Sequence, residues 1–247
     1  MRWYAADLHL HTALSPCAAE DMTPLKILAA ARRAGLDLIA VTDHNSAGNV
    51  AAVQEASFRE GGPAVLAGME VQTREEVHVV CLFGGVEEAL ALERVVFAHL
   101  PPLGNREDLF GPQILLSGRD EEIGREERLL LQSTDLALEE VVERVERLGG
   151  VAIPAHVDRP AYGLLGVLGV LPPRLAVPAL EISRPERRDE VRRALGGSDI
   201  TLICSSDAHY LSDIGRCRTR FFLKEPALAE VRLALAGEGG RRAVIDG

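Results

Sequence analysis

The chain has 247 residues, 47% hydrophobic and 26% charged, with a formal net charge of -10. That balance suits a soluble globular protein with a real core. It disfavours nonspecific nucleic-acid or anionic-membrane binding, which needs clustered Lys and Arg. Only 4% of the residues are aromatic, so Leu, Val, Ile and Ala must fill the interior.

Short apolar runs alternate with amphipathic segments, the pattern of βα units on a parallel sheet. YAADLHLH, residues 4–11, predicts the first strand, with both imidazoles on one face. Thr23-Pro24 opens a helix, a capping residue followed by proline in the first turn, that ends near Gly35. DLIAVTDH (37–44) is the second strand, followed by a helix from about Gly48 to Arg59. AVLAGMEVQT (64–73) and VHVVCLF (77–83) give two more strands across the charged turn REE.

Residues 98–137 break this rhythm. Mixed turn signals and weak periodicity mark them as an inserted excursion or a small lid. LEEVVERVERLGG is a helix stopped by Gly149-Gly150, and it leads into the strand VAIPAH (151–156). ALEIS, ITLICSSDAH and RFFLK complete the strands, and PALAEVRLALAG is a closing helix stopped by Gly237. No repeat or low-complexity linker interrupts the chain, so residues 1–247 are expected to form a single domain.

Cys17, Cys81, Cys204 and Cys217 show no CxxC spacing, and Cys81 and Cys204 sit in apolar runs as buried thiols. A reducing, cytoplasmic setting is expected, since no basic segment followed by an apolar core opens the chain. YGLLGVLGVLPPRLAV is too short for a membrane span and is broken by Pro172, Pro173 and Arg174.

Histidines and selected carboxylates gather at strand ends. His9 and His11 close the first strand and Asp43-His44 the second. Glu70 falls in the third and His78 in the fourth, His156 ends VAIPAH, and Asp207 and His209 follow ITLICSS. Each alone has a plain explanation: TDH can cap a helix, SSDAH can be a polar turn, and His78 or His156 can be a core histidine. Glu70 is more telling, because burying an unpaired carboxylate is costly. Six of the seven histidines lie on predicted strands or at their exits, with only His99 outside. In α/β barrels the C-terminal strand ends converge on one face, so these residues can share a cavity. Imidazoles and carboxylates together bind borderline or hard divalent ions such as Zn, Mn or Fe.

The series DLHLHT, VTDHN, GMEV…EVHVV, GGVAIPAH and CSSDAH resembles the PHP (polymerase and histidinol phosphatase) superfamily, in particular its stand-alone bacterial phosphoesterases. The resemblance covers nearly the whole chain, in order. It implies an α/β fold, a distorted seven-stranded (β/α) barrel similar to a TIM barrel, holding two to three divalent metal ions. One ion would take His9, His11, Glu70 and Asp207. Glu70 would bridge to a second held by His78 and His156, and a third would take His44, His209 and one residue of the loop after the HxH motif. At that last position relatives carry histidine or aspartate, whereas this loop, TALSPCAAEDMTP, offers Cys17, Glu20 or Asp21.

The resemblance further implies hydrolysis of a phosphate ester by a metal-activated hydroxide at a trinuclear site. Glu70 would act there directly, and Asp43 would orient an imidazole, shuttle a proton or cap a helix. Arg159, Arg184 and Arg216 are candidate phosphate contacts. The expected substrate is a small phosphorylated metabolite, with a nucleotide or short oligonucleotide left open and no stable nucleic-acid or membrane binding. Histidinol phosphate is not indicated by any residue. A metal hydrolase acting on an amide or lactone, and a non-catalytic metal-bound interaction domain, are the competing classes.

Overall fold

The computed structural model describes residues 1–246. In chain order the elements are β1 (Arg2–Leu10), α1 (Pro24–Arg33), β2 (Leu38–Val41), α2 (Val50–Glu60), β3 (Ala64–Gln72), β4 (His78–Phe83) and α3 (Val86–His99). Next come α4 (Glu107–Phe110), β5 (Ile114–Leu116), β6 (Glu122–Arg125), α5 (Leu138–Arg147), β7 (Val151–Pro154) and α6 (Leu164–Leu168). The chain finishes with β8 (Ala179–Ile182), α7 (Arg188–Ala194), β9 (Thr201–Cys204), β10 (Thr219–Leu223), α8 (Leu228–Leu235) and β11 (Arg242–Ile245).

The main sheet has seven strands in the order β11-β10-β1-β2-β3-β4-β7, curled into a half-barrel. The parallel pair β8-β9 spans the remaining gap. Its first seam is the hydrogen bond from Val157 N–H to the Glu181 carbonyl (2.8 Å), just past β7. Its second is the bridge between Leu10 and Ala208, where His11 N–H donates to the Ala208 carbonyl at 3.0 Å. The result is the expected distorted barrel, with β1 to β4, β7, β8 and β9 around its axis. Two features distort it. β4 runs antiparallel to both neighbours, and β10 lies along the first half of β1, so β9 reaches β1 only at its exit.

The helices follow from apolar spacing. In α5, Leu138, Val141, Val142 and Val145 are buried along one stripe, and Gly149 ends the segment at a φ of 75° that glycine adopts without strain. The start of α1 departs from expectation: the Thr23 hydroxyl does not cap its own helix but donates to Asp120 Oδ2 (2.7 Å). Asp120 Oδ1 accepts from Leu25 N–H at 2.8 Å, so a residue of the inserted segment caps α1 from outside.

That segment holds the end of α3, α4 and the β5-β6 hairpin. It is pinned to the loops leaving β1 and β2: Ile114 N–H donates to the Ala13 carbonyl, and Asn49 bonds both Ile114 O and Leu116 N–H, each at 2.9 Å. The Asn45 amide donates to Leu130 O (2.8 Å) and Gln132 O (2.9 Å). No helix among the described residues is long and apolar enough to cross a membrane.

Candidate metal centre

Residues remote in sequence meet where the strands exit. The side chains of His9, His11 and Glu70 form a floor with at most 1% exposure. His44, His78, His156 and Asp207 stand around it, nearly as buried, and His209 is the most open imidazole at 21%. Glu70 is the hub. Its Oε1 lies 2.8 Å from His78 Nδ1, 3.2 Å from His156 Nε2 and 3.3 Å from His9 Nε2. Its Oε2 lies 2.9 Å from His44 Nδ1 and 3.5 Å from His11 Nε2. Asp207 Oδ1 reaches His11 Nε2 at 3.0 Å and His9 Nε2 at 3.3 Å.

Backbone strain accompanies this convergence. His156 (φ 29°) and Asp207 (φ 50°) occupy the left-handed region that non-glycine residues avoid. The turn after β7 stays tight because a Cβ on Gly163 would sit 2.7 Å from the His156 carbonyl. In the same loop Tyr162 (φ 61°) stacks on His78, ring centroids 4.6 Å apart.

Buried partners orient the imidazoles. His9 Nδ1–H donates to Glu181 Oε1 at 2.9 Å. His11 Nδ1–H donates to Ser15 Oγ (3.0 Å), whose hydroxyl donates to Asp43 Oδ1 (2.7 Å). Asp43 also accepts from the Thr12 amide and hydroxyl, each at 2.7 Å. It therefore works through Ser15 rather than on an imidazole directly. His209 Nδ1–H donates to the Asp207 carbonyl at 2.9 Å. In these tautomers the Nε2 lone pairs of His9, His11 and His209 are left for an electrophile. Asp7 braces the same loop by accepting from Ser206 N–H and Gly215 N–H, both at 2.9 Å.

This geometry fits bound cations. The two lone-pair nitrogens His9 Nε2 and His11 Nε2 face each other at 3.2 Å, which is unfavourable unless a cation sits between them. Two imidazoles on one tetrahedral zinc ion, with bonds of ~2.0–2.1 Å, stand about 3.3 Å apart. His78 Nε2 and His156 Nδ1 are buried without a hydrogen-bond partner, and Glu70 Oε2 meets imidazole nitrogens of His44 and His11. Three donor groups can be drawn: His9, His11, Glu70 and Asp207; His44, Glu70 and His78; and His11, His44 and His209. Burial raises the carboxyl pKa of Glu70, but His78, His9 and His44 outweigh it and hold the group well below its ordinary value. Asp207 is likewise held low, with burial opposed by His9 and His11.

Among the candidates for the third donor group, Cys17 faces His44 and His209. Desolvation raises its thiol pKa, but the neighbouring imidazoles of His209 and His44 prevail and bring it down to about 7. Cys17, Glu20 and Asp21 are all exposed and belong to none of the three donor groups, and of the three only Cys17 lies beside the imidazoles. The loop reaches the site through Ala19 N–H, which donates to the His209 carbonyl at 2.9 Å. Arg159 stands at the rim with Nη1 2.6 Å from Asp207 Oδ2. Arg184 is exposed, and Arg216 is exposed and paired with Asp213 at 3.1 Å. His99 pairs with Asp135, away from the cluster.

Sequence reasoning missed Glu181, Ser15, Asp7 and Tyr162. Glu181 had a usable signal, since it is a lone carboxylate in the apolar strand ALEI, as Glu70 is in AVLAGMEVQ.

Comparison with known proteins adds a family. The PHP domain model matches residues 7–161, more than half of the chain. No curated protein matches the sequence. Among solved structures, the fold is similar to that of the lesion-specific endonuclease EndoQ from Pyrococcus furiosus, with TM-score 0.68, 19% identity and 98% of this chain covered. The chain spans 57% of that endonuclease. PsfC from Pseudomonas syringae is similar over 100% of this chain and 93% of its own, with TM-score 0.62 and 18% identity. A Bifidobacterium adolescentis protein assigned as a metal-dependent phosphoesterase matches 83% of this chain and 87% of its own, with TM-score 0.55 and 18% identity. With its motifs, its barrel and the family model in agreement, the chain belongs to the PHP domain family.

Proposed function

We propose that this single-domain protein is a metal-dependent phosphoesterase that uses two or three divalent cations to hydrolyse a small phosphorylated metabolite or a nucleotide. The observation that carries this reading is the set of three donor groups joined through Glu70, His11 and His44. Bound divalent cations supply Lewis-acid polarisation of a phosphoryl oxygen and ionisation of water near neutral pH. The residues supply positioning and charge, which phosphoryl transfer chiefly needs.

In this reading Glu70, kept ionised by its ring of imidazoles, would bridge two ions. His9, His11 and Asp207 would hold one of them, His78 and His156 the second, and His44, His209 and Cys17 the third, His156 and Cys17 being additions to the three donor groups. A thiolate at the third site favours zinc over manganese. Glu181 and the Ser15–Asp43 pair act as positioning groups, fixing the ring orientation of His9 and His11. Arg159, half-exposed beside Asp207, is placed to donate to a phosphate oxygen entering from the rim. Arg184 and Arg216 are weaker candidates, as neither joins the cluster. The inserted hairpin is fixed to the loops after β1 and β2, which carry His11 and His44.

Nucleic acid is the second substrate reading, because the similar endonuclease has been captured on a duplex with an abasic lesion. The net charge of -10 favours a small substrate. The test is hydrolysis of an aryl phosphate, a nucleotide, an abasic duplex, an amide and a lactone, each with added zinc, manganese or iron. Phosphate release abolished by His9→Ala and Asp207→Ala is the expected result. Turnover of the amide or lactone alone, or equal rates in both variants, refutes the proposal.

A further inference from the structure

Two of the four cysteines are neighbours in space. Cys204 ends β9; its N–H donates to the Thr219 hydroxyl, which donates back to the Cys204 carbonyl, each at 2.9 Å. Cys217 lies two residues before Thr219, and its thiol points at the Ser183 carbonyl (3.7 Å). Ser183 follows Ile182, the residue paired with Cys204 across β8 and β9. The two side chains thus lie next to each other at the top of this strand pair. Cys204 is fully buried and Cys217 half-buried. Cys217 is therefore the thiol a small oxidant can reach, and Cys204, buried behind it, is placed as its resolving partner.

We propose that Cys204 and Cys217 form a reversible intramolecular disulfide that staples the base of the loop carrying Asp207 and His209. Hydrogen peroxide serves as the oxidant. The Cys217 thiolate attacks a peroxide oxygen, the O–O bond breaks, and the departing hydroxide takes up a proton as water. The Cys204 sulfur then attacks the Cys217 sulfenic sulfur, an S–S bond forms, the S–O bond breaks, and a second water leaves with the Cys204 proton. Two thiols lose two electrons and peroxide becomes two waters. The closed ring contains residues 205–216, already tied to Asp7 through Ser206 and Gly215, so the disulfide restrains the segment that presents two cluster residues. This chemistry does not depend on the hydrolytic reading.

The test treats the full-length protein with peroxide, blocks free thiols by alkylation, and maps peptides without reduction. The expected product is a peptide pair joined through Cys204 and Cys217, reversed by dithiothreitol and unchanged in Cys17→Ser. Hydrogen exchange in residues 205–216 should slow by about 10-fold on oxidation of the wild type and not of Cys217→Ser. A Cys217 that ends as an isolated sulfinic acid or an intermolecular disulfide, with Cys204 still free, overturns the proposal. So does a joined pair that leaves the exchange of residues 205–216 unchanged.

Discussion

The floor and the rim of the cluster are built differently. The floor rests on mid-barrel backbone: His9 and Glu70 lie within β1 and β3, and His11 follows β1 directly. Its imidazoles are fixed by buried partners, Glu181 for His9 and Ser15 with Asp43 for His11. At the rim, Cys17 and His209 sit on loops, and the His209 ring donates to a backbone group, the Asp207 carbonyl, rather than to a buried carboxylate or hydroxyl. Packing positions the floor, and a few loop hydrogen bonds position the rim. In a barrel of this kind the rim is where ligand identity can vary, and it is where a cysteine stands.

The largest effect that tests this contrast is Glu70→Gln. Loss of the bridging charge should lower turnover on the order of 1,000-fold, or about 4 kcal/mol in the barrier, and should reduce bound metal. His209→Ala, measured in parallel, should lose less metal than His9→Ala; equal loss would erase the distinction between floor and rim.

Positioning residues come next. Glu181→Gln and Asp43→Asn should weaken metal binding by about 10- to 100-fold while the fold survives, as read by calorimetry and circular dichroism. Unchanged affinity in both would mean that these carboxylates serve only packing.

At the rim, Cys17→Ser should weaken zinc binding and leave manganese binding nearly as it was. Cobalt-substituted wild type should show a sulfur-to-cobalt charge-transfer band that Cys17→Ser lacks. A band of equal strength in both would take the thiol out of the site.

The smallest effect lies far from the cluster. Glu230 accepts from Arg241 and from the Lys224 amide, and these bonds bring its pKa down to about 2. A depressed carboxyl pKa gives stability that is present above the unfolded value and lost as pH falls through the folded one. Between about pH 4.5 and pH 2 the wild type should therefore lose more stability than Glu230→Gln. Parallel acid-unfolding curves would contradict this.

The sequence disclosed the barrel because its strands are short apolar runs separated by turn residues, and the donors because they stand at the ends of those runs. It concealed α3, whose apolar residues Val86, Leu90, Leu92, Val95, Val96 and Phe97 spread around the helix instead of forming one stripe. It also concealed the β5-β6 hairpin, which depends on Asn49 and Ala13 for backbone partners and so leaves little local signal. The cap supplied by Asp120 to α1 comes from the same long-range packing. The Ser15–Asp43 support for His11 could not be read from spacing alone, since it needs the loop after β1 folded against β2.

The central claim is that Glu70, His9, His11, His44, His78, His156, Asp207 and His209 together hold several divalent ions. Anomalous X-ray scattering from crystals grown with zinc or manganese tests it most directly. The account predicts two or three peaks inside this cluster, with Glu70 between two of them. A cluster without any peak at saturating metal, its imidazoles still facing one another, would contradict it.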